Sequence, residues 1–262
     1  MPQSRPIVEI LDQNVRRDFE SNRRLMSLDE YLSILTENPG QQLRGSARYL
    51  ADMMDHFGKT PVQIGGGVSG GQIFRFHVFD QDEETGARRV IGQEAVQTQI
   101  YGVLRGFARQ GINNRLILLH GPNGSAKSSL IQSLMTGLER YSHEPQGAKY
   151  SFSWVFPIER YTKGGMGLSS SYAPGSSGTK SGQETQSYAR LPDEEVAARI
   201  PCELRDHPFL LIPQKERLGM LRELLGEKRA QELWQQMPLF LTRGDLSARN
   251  KMIFEALLNA NG

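Results

Sequence analysis

Arg115–Met135 reads RLILLHGPNGSAKSSLIQSLM, and the organisation of the chain turns on the eight residues at its centre. Leu116–Leu119 are four apolar residues in succession, the pattern of a strand buried on both faces. KSSLIQSLMTGLERYS then continues as a helix. Between them lie Gly121, Pro122, Asn123, Gly124, Ser125, Ala126, Lys127 and Ser128. A strand, a glycine-bearing turn and a helix N-terminus together form a phosphate cradle. Successive backbone N–H groups turn toward one point, and the helix dipole favours an anion there. Gly121 and Gly124 stand where side chains would obstruct that approach. Lys127 is placed to reach the β- and γ-phosphates and the Ser128 hydroxyl to ligate Mg²⁺, with Ser129 the weaker metal candidate. The implied ligands are ATP and Mg²⁺.

Ala126 departs from the usual second glycine. If its backbone has helical φ, alanine fits and stabilises the turn by ~1 kcal/mol relative to glycine. A positive φ would strain it. The sequence favours the helical case, because small size is the stricter requirement.

The neighbourhood extends the α/β pattern. Upstream, RRVIGQEAVQTQIYGVLRGFARQG predicts an amphipathic helix with Ala95, Ile100, Val103, Leu104 and Phe107 on its buried side and Gly111 at its end. Downstream, AKYSFSWVF predicts a strand with Phe152, Trp154 and Phe156 on one side. Strand, helix and strand in this order predict a right-handed unit and a mostly parallel sheet flanked by helices.

Residues 1–64 read as an N-terminal helical region ahead of a core spanning 65–262. Ser27 and Glu30 form a capping box before Leu28, Leu32 and Leu35, and Asn38-Pro39-Gly40 ends that helix. A second helix carries Leu43, Ala47, Leu50, Met53 and Met54 on one face, for packing rather than binding, and Gly58 closes it. The glycines of Gly65–Gly71 mark a turn or linker, and Phe74, Phe76 and Val78 alternate as a strand does. DQDEETG falls short of a calcium loop: Gly86 comes one place late, and Ile91 stands where the closing Glu would be. Residues 163–190 are Gly/Ser-rich and read as a flexible insertion. PDEEVAARI, QKERLGMLRELLGEKRAQELWQQM and SARNKMIFEALLNANG read as helical.

Composition sets the outer limits. The 262 residues carry a net charge of only +2 with no basic block, which argues against a nucleic-acid partner. No stretch approaches the ~20 apolar residues of a membrane span, and no signal-peptide core opens the chain. A cytoplasmic protein is the expectation. Cys202 is the single cysteine, so there is no internal disulfide, and with His207 it makes half a zinc site at best. HPFLLIP reads as an apolar strand or turn, and Trp234 as part of a helix core face.

VIGQEAV, which contains Ile91 and Gly92, is similar to the AAA+ ATPase segment that packs against the adenine ring. The Ala-Lys-Ser form of the loop also occurs in AAA+ proteins. Taken with SFSWVFPI, PCELRDHPFLLIP and GDLSARNKMIFEALL, GPNGSAKSSL resembles the N-terminal AAA+ region of PrkA-type serine protein kinases over most of the chain. The resemblance implies a P-loop AAA+ core and a full-length protein that can assemble as a ring and act on a protein substrate. It also implies that the Walker B acids, sensor residues and kinase-like region lie beyond the equivalent of Gly262, leaving this core incomplete. Glu159 and Asp245 follow apolar residues, but a strand end and a turn or capping role beside Ser247 fit them better. Catalytic residues are therefore not assigned. Two other functions stay open: direct phosphotransfer to protein Ser or Thr, and a non-enzymatic switch in which nucleotide orders residues 163–190.

Overall fold

The structure is a computed structural model, and it describes residues 25–62, 72–80, 89–113, 115–158, 191 and 193–261. Predictions for Gly65–Gly71, the DQDEETG tip beyond Asp80, Glu159 and residues 163–190 fall outside them. The described chain is mixed α/β. It divides into two compact units, one of residues 34–152 and 204–252, the other of residues 1–33, 153–203 and 253–262.

In the larger unit the core gathers Ala47, Ala51, Met53, Met54, Phe76, Phe79, Val90, Ile100, Leu104, Phe107, Leu130 and Tyr141. Helix α1 (Leu28–Glu37), whose first residues belong to the smaller unit, is opened by the predicted capping box. Ser27 N–H donates to Glu30 Oε2 at 2.8 Å and Glu30 N–H to Ser27 Oγ at 3.1 Å. Asn38-Pro39-Gly40 does end α1, but Pro39 at once starts a single turn, α2 (Pro39–Gln42), because proline suits a first helical turn. Helix α3 (Ser46–Phe57) buries Met53 and Met54 completely and closes at Gly58 with φ +86°. Strand β1 (Lys59–Val62) then pairs antiparallel with β2 (Ile73–Phe76), Lys59 opposite Phe76 and Val62 opposite Ile73.

Helix α4 (Glu94–Gln110) ends at Gly111 in the left-handed region, as its sequence predicts. Its buried stripe is Gln97, Ile100, Leu104 and Phe107, while Ala95 and Val103 face solvent. Gln97 is inside because its Oε1 accepts the Phe76 N–H at 3.1 Å, and Thr98 Oγ1 accepts that of Phe74 at 2.9 Å. These bonds satisfy backbone donors of β2 that would otherwise cost about 1–3 kcal/mol each if buried unpaired.

Helix α5 (Lys127–His143) presents Leu130, Ser133, Gly137 and Tyr141 to the core. A Cβ on Gly137 would lie 2.4 Å from Val78 Cγ2 and 3.1 Å from Met53 Sδ, so glycine is what lets α5 lie this close to α3. Arg44 secures the far end of α5: its Nη1 donates to Asp52 Oδ2 at 2.8 Å and to Tyr141 Oη at 3.0 Å, and Nη2 donates to the Gln146 carbonyl.

Two predictions about strands change. Leu116–His120 has no regular secondary structure and pairs with no strand among the described residues, and the expected parallel sheet is not seen there. Leu116 and Leu118 are 87% and 77% exposed, while Leu119 packs on the core. The second concerns PDEEVAARI in the smaller unit, which is not helical. A 3₁₀ turn at Asp193–Glu195 precedes strand β4 (Val196–Pro201), paired antiparallel with β3 (Ser153–Pro157). Pairing of Val196 with Pro157 and Ile200 with Trp154 outweighs the helix propensity of Glu and Ala.

HPFLLIP forms a 3₁₀ turn at Pro208–Leu211. Gly226, at φ +81°, splits the next helical segment into α6 (Arg217–Leu225) and α7 (Glu227–Gln236), followed by the single turn α8 (Leu239–Thr242) and α9 (Ala248–Asn261). Arg217 of α6 is almost wholly buried. It donates to the carbonyls of Ile212, Leu241 and Gly244 at 2.9, 3.0 and 2.8 Å, stitching α6 to α8. No helix among the described residues is long and apolar enough to cross a membrane.

Candidate functional site

The loop Gly121–Ala126 joins the irregular Leu116–His120 segment to α5. Its two glycines have separate physical causes. A Cβ on Gly121 would lie 2.8 Å from Ser125 Oγ, and Gly124 adopts φ +82° with open space around it. A side chain at the first would displace the Ser125 hydroxyl, and at the second the backbone conformation itself favours glycine.

Ala126 overturns its prediction. It sits at φ 59°, ψ 15°, in the left-handed region, as the residue capping α5. That conformation costs an L-residue roughly 1–2 kcal/mol. Two contacts offset it: the Ala126 carbonyl accepts the Leu130 N–H at 2.9 Å, and its side chain packs on the core cluster. The chain must turn sharply here to enter α5, and that geometry overrides alanine's helical preference.

Lys127 folds back over the loop. Its Nζ donates to the Gly121 carbonyl at 2.8 Å, the Pro122 carbonyl at 2.6 Å and Ser125 Oγ at 3.0 Å, while Ser125 Oγ donates to the Pro122 carbonyl at 2.8 Å. The ammonium thus stands where the loop closes, held by neutral acceptors and by no carboxylate among the described residues. Asn123 and Ser128 are exposed and Ser129 half-buried. The N–H groups of Lys127, Ser128 and Ser129, in the first turn of α5, find no backbone acceptor among the described residues. Such donors are general to helix N-termini, and at the positive end of this 17-residue helix they favour negative charge.

Ile91 and Gly92 lie just ahead of α4. Val90 is buried and its N–H bonds to the Phe79 carbonyl at 2.9 Å, which anchors the segment. Gly92 has φ +76°, and its N–H donates to Glu94 Oε1 at 3.3 Å. The Ile91 side chain is 71% exposed, an apolar group held outward on a fixed backbone.

Other sequence candidates resolve into structure. Asp245 accepts from Leu246 N–H at 2.9 Å and from Lys251 Nζ at 2.6 Å, a turn role before α9. Asp206 accepts from Ser247 N–H and Asn250 Nδ2, both at 2.8 Å, and so secures the start of α9. His207 Nε2 lies 2.9 Å from the Gln42 carbonyl, and its Nδ1 accepts the Phe209 N–H at 3.2 Å, which defines a neutral Nε2–H imidazole. Burial pushes its pKa down to about 4. Cys202 is buried, and no metal-competent cluster of His, Cys, Asp or Glu occurs among the described residues. The sequence offered no sign of the buried Arg44 and Arg217, because arginine is read as a surface residue until its partners are known.

Comparisons with protein-family models, curated proteins and solved structures return no match.

Proposed function

We propose that the chain is an ATP-binding AAA+ module of the kind found in PrkA-type serine protein kinases, one that converts nucleotide state into movement of a partner segment. The observation that carries this reading is Lys127 folded over the glycine-bearing loop at the N-terminus of α5, where the amides of Lys127, Ser128 and Ser129 have no backbone acceptor among the described residues. In the bound state Lys127 Nζ exchanges the carbonyls of Gly121 and Pro122 for phosphate oxygens, a trade of neutral for charge-assisted hydrogen bonds. The exposed Ser128 hydroxyl is the Mg²⁺ ligand, and Ile91 with Gly92 offers an apolar surface to the base. The fold that accompanies this reading is a P-loop core in which Leu116–His120 is a strand of a mostly parallel sheet. A protein substrate and ring assembly belong to the same reading, as does a cytoplasmic setting.

Binding needs fewer groups than turnover. Hydrolysis also requires a group that orients water and one that neutralises the transferring phosphoryl group. The test is calorimetric titration of Mg·ATP into wild type and Lys127→Ala. Losing the charge-assisted bonds to phosphate should weaken binding by about 10–100-fold. Equal affinities would remove the site.

A further inference from the structure

The larger unit carries a second feature, well apart in sequence from the phosphate loop. Gly111 ends α4 with φ +66°, and a Cβ there would lie 2.7 Å from the Met237 carbonyl. The end of α4 can therefore lie directly against the α7–α8 junction. Two cavities open along this junction, of about 210 and 430 Å³, and they share Gly111, Ile112 and Leu239. The first continues past Phe107 and Phe240 to Arg48, the second past Trp234 to Arg243.

Their lining has two unusual properties. Ile112, Leu239 and Phe240 come together here although each is exposed, at 43%, 42% and 48%. The cause is local. The four-residue α8 buries Leu241 and Thr242, so its other two side chains must face out. Isolated exposed apolar residues are ordinary, but three around one groove are the mark of a contact surface. The second property is charge: Arg48 and Arg243 belong to the lining, and among the described residues no Asp or Glu lines either cavity. Among the described residues Arg48 has one ion pair, a long one to Asp52 at 4.0 Å, and Arg243 has none. The remaining polar lining is largely carboxamide and hydroxyl, from Asn113, Gln214 and Thr242 among others.

We infer that this groove docks an acidic peptide segment of a partner protein. A leucine or phenylalanine of that segment seats between Ile112, Leu239 and Phe240, and flanking carboxylates pair with Arg48 and Arg243. Charge complementarity selects this occupant. A basic segment would meet two arginines with no acid to receive it, and a wholly apolar one would leave both guanidiniums unanswered. The apolar anchor supplies most of the affinity and the two arginines supply register.

The test uses the full chain and a fluorescein-labelled peptide of alternating glutamate, leucine and phenylalanine, followed by fluorescence polarisation. A control peptide carries lysine in place of every glutamate. The acidic peptide should bind at least about tenfold more tightly than the control, and raised salt should narrow the gap. Phe240→Ser should weaken binding by about tenfold or more, as should Arg48→Glu combined with Arg243→Glu. These side chains are partly or largely exposed, so thermal melting should stay close to wild type, and Lys127→Ala should leave peptide affinity unchanged. Absence of binding, equal binding of the lysine peptide, or indifference to both sets of substitutions overturns the inference. So does sedimentation showing a dimer that Phe240→Ser dissociates, which would give the groove to a second copy of the chain.

Discussion

Gly137 offers the sharpest test of how the loop-bearing helix is held. Substituting alanine places a methyl 2.4 Å from Val78 Cγ2 and 3.1 Å from Met53 Sδ. Val78 is β-branched and stiff, and Met53 is fully buried, so neither can swing aside freely. Overpacking of this sort costs about 1–3 kcal/mol. Alanine's better helix propensity returns ~1 kcal/mol. Because both neighbours are pinned, the upper half of the range applies, and a net loss of about 1–2 kcal/mol is expected. Urea unfolding followed by circular dichroism measures it, the midpoint falling with little change in slope. The decisive arm is Gly137→Ala placed in a Val78→Ala background, where the clashing atom is gone. There the substitution should be neutral, or stabilising by up to ~1 kcal/mol. The same loss in both backgrounds would refute the packing argument.

Two further outcomes follow from the same geometry. His207 is held neutral with a pKa near 4, below its ordinary value, so above about pH 6.5 neither folded nor unfolded chain binds the proton and the fold keeps its full stability. Between about pH 6.5 and 4 the unfolded chain takes up a proton that the folded chain refuses. Stability should fall by about 1–3 kcal/mol over that window, and in His207→Gln this part of the pH dependence, read from urea midpoints, should flatten; an unaltered profile would count against the neutral imidazole. At Ala126, glycine removes roughly 1–2 kcal/mol of left-handed strain but gives up a half-buried methyl and adds chain entropy. Ala126→Gly should therefore be neutral or stabilising by up to ~1 kcal/mol in the same titration, whereas a helical φ would make it destabilising by that amount.

What the sequence disclosed was whatever is decided locally. The capping box at Ser27 and Glu30, the stops at Gly58 and Gly111, and the burial of Met53 and Met54 depend on neighbours within a turn or two, and each is found as read. Long-range features were hidden. Val196–Pro201 is strand because β3 pairs with it, a contact no propensity encodes. Leu116–His120 has the composition of a buried strand, yet among the described residues it has no partner. Within the site, spacing drew attention to Gly121 and Gly124, but not to the causes the structure gives them, the Ser125 hydroxyl beside the first and the positive φ of the second. The φ of Ala126 was not legible either, since alanine suits the helix it adjoins and only the path of the chain decides the turn. The buried imidazole of His207 and the groove around Phe240 likewise arise from segments far apart in sequence.

The central claim is that three backbone amides at the start of α5 receive a polyphosphate. An amide proton–nitrogen NMR spectrum taken with and without Mg·ATP tests it directly. The account predicts large shifts at Gly124 and at Lys127, Ser128 and Ser129 that saturate with nucleotide, and in Lys127→Ala the shifts at Gly124, Ser128 and Ser129 need about 10–100-fold more nucleotide. A spectrum in which those amides stay still while ATP binds elsewhere, or does not bind at all, would contradict it.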